Sequence, residues 1–212
     1  MKTITAVKPQ KRNSERVNVY LDGLFAFGVS ARLAQSLAVG QELPESKIQH
    51  LQELDEYKIS LQMALDQIGR RPRTEQEIRQ YLRKKGREGA SDAVVSRLKE
   101  LQYLDDEAFA RQWIEDRLAF RPRSSMALRY ELRRKGIAGC TIDAVLEGFD
   151  DQSAAVSAAR TAVRKLWKQE PEKRRKKIYG YLSRRGFRYE EIRTAVEQVM
   201  SEEEEQNSDP FA

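Results

Sequence analysis

The sequence predicts a mainly α-helical protein built of elongated tandem three-helix repeats, preceded by a small module made of a β-hairpin and a helix. Two observations carry the prediction. A basic, glycine-terminated helix end recurs at a spacing of 50 residues, as Tyr81-Leu82-Arg83-Lys84-Lys85-Gly86, Glu131-Leu132-Arg133-Arg134-Lys135-Gly136 and Tyr181-Leu182-Ser183-Arg184-Arg185-Gly186. Self-similarity at such a period is the signature of stacked copies of one supersecondary unit. Before the first copy, Asp22-Gly23 separates two β-prone runs, the pattern of a tight hairpin turn.

Taken in order, Thr3 to Val7, Arg16 to Leu21 and Leu24 to Val29 read as strands. Ser30 is placed to cap a short helix from Ala31 to Leu37, which the Gly40 to Pro44 stretch breaks. A longer helix follows over about 45–68, with Ile48, Leu51, Leu54, Ile59, Leu61 and Leu65 as its apolar face. Gly69-Arg70-Arg71-Pro72-Arg73 stops it, and Thr74-Glu75-Gln76-Glu77 has the form of a capping box that starts the next helix.

From there the punctuation is regular. The first helix of each copy buries Ile78, Tyr81 and Leu82, then Leu128 and Leu132, then Ile178, Tyr181 and Leu182, and its glycine supplies the left-handed C-cap. A second helix follows each glycine, with Val94, Val95, Leu98 and Leu101, then Ile142, Val145 and Leu146, then Ile192, Val196 and Val199. A third starts at the aspartate pairs Asp105-Asp106 and Asp150-Asp151, where carboxylates suit free N–H groups and the helix dipole. It carries Phe109, Trp113, Ile114 and Leu118 in one copy and Val156, Ala159, Val163 and Leu166 in the next; Trp167 is expected in the core as well. The expected divisions are a 1–69 extension, repeats over 70–121 and 122–170, a truncated repeat over 171–200, and an acidic tail without a fold over 201–212.

Charge narrows the function. The net charge is +6, yet residues 70–188 carry 30 basic against 17 acidic groups, so the repeats hold all of the excess. Cations in the last turn of a helix are stabilising in themselves, by about 0.3–1 kcal/mol each. That account covers one helix end. It does not cover three such ends together with Arg121, Arg123, Lys165, Lys168 and the run Lys173-Arg174-Arg175-Lys176-Lys177, which repel one another until a counter-charge arrives. A long polyanion is the expected partner. Tyr81, Tyr103, Tyr130, Tyr181 and Tyr189 offer rings on which bases could stack, but amphipathic aromatics of this kind are expected mostly to seal helix interfaces.

Nothing in the chain points to catalysis. The one histidine, His50, sits in a polar stretch without cysteine or acid neighbours that would complete a ligand set, and no phosphate-binding glycine loop, nucleophile elbow or zinc spacing occurs. Neither a metal nor a cofactor is expected. The lone Cys140 fits a reducing compartment, and no apolar run reaches membrane-spanning length, so a cytoplasmic protein without a membrane partner is expected.

Tyr103-Leu104-Asp105-Asp106-Glu107-Ala108-Phe109-Ala110, followed by Leu132-Arg133-Arg134-Lys135-Gly136-Ile137, resembles the RecX family of recombination regulators, and the likeness extends over about residues 70–200. Residues 1–69 resemble the N-terminal extension of longer members more loosely. The chain departs from the family pattern at Gln102, where glycine is common, and at Arg121-Pro122-Arg123, which replaces a commoner Lys-Gly stretch. The resemblance implies a non-enzymatic protein that binds RecA recombinase filaments on single-stranded or duplex DNA without sequence specificity. It would modulate strand exchange, ATP hydrolysis and coprotease action in DNA repair and the SOS response, as an elongated chain of three-helix units lying along the filament groove; an array with distinct ends is expected to work as a monomer. It places Arg83, Lys84, Lys85, Arg133, Arg134, Lys135, Arg184 and Arg185 as groove candidates, to which charge adds Arg121, Arg123, Lys173, Arg174, Arg175, Lys176 and Lys177. The alternative class is a direct duplex-DNA-binding protein of helix-turn-helix type, although cations at helix C-terminal ends suit phosphate contact better than base reading.

Overall fold

The computed structural model describes residues 1–166 and 168–208. These form two compact units, one of residues 1–73 and 78–104, the other of residues 74–77 and those from Asp105 onward. Trp167, expected in the core, lies outside the described residues, as do the last four of the expected tail.

The first unit opens with strands β1 (Lys2–Gln10), β2 (Asn13–Leu21) and β3 (Leu24–Ser30). The Asp22-Gly23 turn forms with both residues at positive φ, 50° and 85°, which matches the twist of the strands it joins. A second hairpin turns at Lys11-Arg12, where no glycine signals it. A two-residue strand, β4 (Glu42–Leu43), lies beyond the Gly40 break, giving an antiparallel sheet in the order β3-β2-β1-β4. Helix α1 spans Ala31–Ala34, stopping three residues short of expectation; the Ser30 hydroxyl accepts from the Leu33 amide at 3.4 Å as foreseen.

Helix α2 (Glu45–Ile68) has the expected bounds but a different buried stripe: Ile48, Leu51, Asp55, Ser60 and Ala64. Its first half closes the sheet core of Ile4, Val19, Val29 and Leu43. Its second half enters a separate core with Ile78, Leu82, Val94, Val95 and Leu98 from α3 (Glu75–Lys84) and α4 (Ser91–Glu100). Asp55 ties the helix to the sheet, taking Arg16 at 2.7 and 3.3 Å and the Ser30 amide at 2.8 Å.

After α4 the chain turns through Gln102 at φ 58°, the position where a glycine would be natural. A side chain in this left-handed region costs about 1–2 kcal/mol, part of which glycine gives back through the freer unfolded chain. Gln102→Gly should therefore raise stability by about 0.5–1 kcal/mol, read as an upward shift in the denaturant midpoint.

In the second unit α5 (Asp106–Phe120), α6 (Ser125–Arg134) and α7 (Gly139–Val145) enclose Ala110, Ile114, Leu128, Leu132, Ile137, Ile142 and Leu146. Helices α8 (Asp151–Leu166), α9 (Pro171–Ser183) and α10 (Tyr189–Ser208) enclose an alanine-rich cluster with Ile178, Leu182, Phe187, Ile192, Val196 and Val199. The cores thus group the helices one step out of phase with the expected repeats. The helix beginning at each aspartate pair packs with the two that follow it, and the last cluster has three helices rather than a truncated set. Two expected core residues, Leu101 and Leu118, are exposed. Helix α10 continues past Met200 into the expected tail, where Arg160 pairs with Glu202 and Arg174 with Glu203.

Candidate polyanion-binding surface

Each basic helix end is built the same way. Leu82, Leu132 and Leu182 are fully buried and fix the rotation of the last turn. The glycine that follows adopts positive φ in every copy, 68° at Gly86, 83° at Gly136 and 86° at Gly186. Its amide bonds back to the carbonyl of Arg83, Arg133 or Ser183 at 2.9–3.0 Å, which closes the helix. With the leucine inward, the next two side chains point to solvent: Arg83 and Lys84, Arg133 and Arg134, Ser183 and Arg184 are exposed. Of these, Arg83 holds Glu88 at 2.8 Å in a solvated pair, and Arg134 lies 5.9 Å from the Tyr130 ring centre.

The third cation of each end behaves differently. Lys85 is exposed, but Lys135 turns inward, 2.8 Å from Glu77 and 4.9 and 5.7 Å from the ring centres of Trp113 and Phe109. Its carbonyl also accepts from the Thr74 hydroxyl at 2.7 Å, and Thr74 takes the Glu77 amide, which is the N-cap half of the anticipated capping box. Lys135 is therefore a packing residue, contrary to its expected outward role. Arg185 is half-buried, its guanidinium 3.6 Å from the Tyr181 ring centre, with a buried Nε that has no hydrogen-bond partner. Burial pushes its pKa below the usual arginine range, Tyr181 opposes that, and the charges of Arg123 and Arg121 push it further down.

The run 173–177 occupies the opening turns of α9, and part of it is already neutralised. Arg174 is nearly buried against Glu203 at 2.7 Å, Lys173 holds Glu170 at 2.9 Å, and Arg175 lies 4.0 Å from Glu197. Lys176 and Lys177 remain exposed. In the preceding loop Arg121 is exposed, and Arg123 shares Glu131 with Arg117 at 3.0 and 2.8 Å.

The aspartate pairs have two duties rather than one. Asp105 and Asp150 cap their own helices through the amides of Ala108 and Ser153, and the bonds from Ser153, hydroxyl first, hold the Asp150 carboxyl below its ordinary pKa. Asp106 and Asp151 reach instead to the start of an earlier helix, accepting from the amides of Glu75 and Ser125. Sequence spacing identified the caps but not this second set, because the partner lies 26 or 31 residues upstream. Three tyrosines expected at interfaces, Tyr103, Tyr130 and Tyr189, are exposed, so their rings remain available to a partner.

No group of three or more histidine, cysteine or acidic side chains is arranged to hold a metal ion among the described residues, and none of the described helices is long and apolar enough to cross a membrane.

The chain matches four family models in succession. These are the regulatory protein RecX N-terminal domain over residues 2–43 and the first, second and third RecX three-helix domains over 61–98, 105–146 and 150–196. The three-helix matches coincide with the three helical cores. The regulatory proteins RecX of Staphylococcus haemolyticus and Staphylococcus epidermidis are 34% and 36% identical over 84 and 86 residues. Those stretches are 39% and 40% of this chain and 32% of each relative, so the chain aligns with about a third of their length. A crystal structure of regulatory protein RecX superposes with a TM-score of 0.64 at 27% identity, covering 92% of this chain and 100% of that one. RecX from Lactobacillus salivarius, at 19% identity, shares the fold with a TM-score of 0.58 over 69% of this chain and 97% of its own. With an N-terminal sheet, three consecutive three-helix cores and a matching model for each, the chain belongs to the RecX family of regulatory proteins.

Proposed function

We propose that this chain is a non-enzymatic regulator of the RecA recombinase, binding its filaments on DNA in the cytoplasm and altering strand exchange, ATP hydrolysis and coprotease action during recombinational repair. Family membership supports a regulatory role. The observation that carries the rest is the outward pair at successive helix ends, which presents exposed cations at Lys84, Arg133, Arg134 and Arg184 while the adjacent leucine anchors each turn. A partner with repeated negative charge gains from engaging more than one such end, as at Arg133, Arg134 and Arg184 within the second unit, because each bound site raises the effective concentration at the next. A filament on DNA is such a partner.

The test compares binding to bare duplex, bare single strand and recombinase-coated strand. Preference for the coated strand is the expected result, whereas preference for a particular duplex sequence would make the protein a direct DNA reader. Arg133→Glu with Arg134→Glu should weaken association with the coated strand and lower the slope of log affinity against log salt by about one unit for each phosphate no longer neutralised. Unchanged affinity and slope would remove this helix end from the interface. Lys135→Ala is the useful contrast, since it removes the Glu77 ion pair and the packing against Trp113 and should therefore act on stability.

A further inference from the structure

The apolar anchoring of α10 stops short of its end. Ile192, Val196 and Val199 are buried in the last core and Met200 packs against it, whereas Ser201-Glu202-Glu203-Glu204-Glu205 brings no apolar side chain. Past Met200 the helix is therefore held by charge. Glu202 takes the Arg160 guanidinium of α8 through both oxygens, at 2.8 and 3.1 Å, and Glu203 takes Arg174 of α9 at 2.7 Å. Earlier on α10, Glu197 lies 4.0 Å from Arg175. Three cations of α8 and α9 thus already face a carboxylate of their own chain.

These pairs are not equivalent. The side chains of Arg174 and Glu203 are 12% and 22% exposed, so this pair fastens the acidic turn in place. Those of Arg160 and Glu202 are 50% and 35% exposed, and a solvated pair of that kind contributes little to stability and yields to a stronger competitor. Arg160, then Gln198, holds the Glu202 carboxyl below its ordinary pKa, so it is charged at neutral pH. Arg160 and Glu202 border an open recess together with Arg164, where an anion of higher charge density can reach both arginines from solvent.

We infer that the acidic end of α10 is an internal competitor for the cations of α8 and α9, which an incoming polyanion must displace. A tethered carboxylate acts at a high effective concentration, so a sparsely charged surface does not dislodge it, whereas closely spaced anions do. The device sets a threshold of charge density for binding, by opposing weaker partners rather than by favouring the right one. It rests on the polyanion-binding reading above and adds to it a restraint carried by the chain itself.

The experiment uses the full chain and a fluorescently labelled single-stranded oligonucleotide, with affinity read by anisotropy over a series of salt concentrations. Glu202→Gln should tighten binding by about three- to tenfold and steepen the salt slope by about one unit, since Arg160 is freed to neutralise an anion. The denaturant midpoint should stay where it is, because only a solvated pair is broken. Adding Arg160→Gln to Glu202→Gln should abolish both gains. Glu115→Gln on α5 is the control: it removes the same charge from an exposed carboxylate outside any ion pair among the described residues, and should leave the slope unaltered. Equal tightening by Glu202→Gln and Glu115→Gln, with neither changing the slope, would reduce the effect to net charge and overturn the competitor. Unchanged or weaker binding by Glu202→Gln would do the same, leaving the pair a structural staple, as would absence of oligonucleotide binding by every variant. Failure of the regulator proposal reads differently: the slope change at Glu202 would persist, but the unsubstituted chain would show no preference for recombinase-coated strand.

Discussion

Asp55→Ala is expected to lower the stability of the first unit by about 3 kcal/mol, the low end of what breaking a buried ion pair costs. Asp55 is only 5% exposed and accepts three hydrogen bonds, two from Arg16 on β2 and one from the Ser30 amide at the end of β3. Alanine leaves that amide without its acceptor and Arg16 without its counter-charge, although the guanidinium keeps the Gly28 carbonyl at 3.1 Å and some access to water. Those two residual interactions set the estimate at the low end. Hydrogen exchange of the strand amides is the suitable readout, because it reports on this unit alone. The pair Arg16→Met with Asp55→Leu should recover much of the loss, since apolar replacement removes both desolvated charges together. A loss below about 1 kcal/mol, the level of a solvated pair, would mean that Asp55 is hydrated and does not join helix to sheet.

The second large effect is expected at Gly136. An alanine there must adopt φ near 83°, costing about 1–2 kcal/mol. Its Cβ would also stand 2.3 Å from the Gln76 Cβ and 2.4 Å from Cγ, an overlap that requires the start of α3 or the end of α6 to shift. With overpacking worth a further 1–3 kcal/mol, the total comes to about 3 kcal/mol. Gly86 supplies the control, having φ 68° and no atom within 4 Å of an added Cβ. Gly86→Ala should therefore cost about 1–2 kcal/mol, the backbone part alone. Equal losses at the two positions in denaturant unfolding would show that the Gln76 side chain yields without resistance.

Elements with local causes were readable from the chain. The bounds of α2 follow from Pro44 and from the Gly69–Arg73 stop, the first hairpin from Asp22-Gly23, and the three helix ends from a leucine and a glycine four residues apart. What escaped depends on partners distant in sequence. The two-residue β4 exists only because β1 is there to pair with it at Lys2–Leu43 and Thr3–Glu42. The stripe of α2 was misjudged because Asp55 belongs on the buried face only once Arg16 is opposite. The phase of the repeat was ambiguous because an aspartate-started helix is amphipathic toward either neighbour, and the choice is made by packing.

The same distinction divides the candidate surface. That Arg133 and Arg134 face solvent follows from burial of Leu132, a periodicity argument. That Lys135 is consumed by Glu77, Trp113 and Phe109 could not be foreseen from a row of three cations. Arg174 is similar, since its acceptor Glu203 lies 29 residues on, in a segment expected to have no fold. Cation counts in sequence therefore overstate the charge exposed to a partner.

The Asp151 carboxylate and the Arg185 carbonyl, which receive the amides of Ser125 and Ser124, give the second unit a direction. Both acceptors come from the helices that follow, while the donors belong to the three-helix group before them. On a ribosome the earlier group must emerge with the first turn of α6 open, and it is completed only when later chain arrives. Clipping the protein from its C-terminal side thus removes more than the deleted helices, because it unfastens the neighbour left behind.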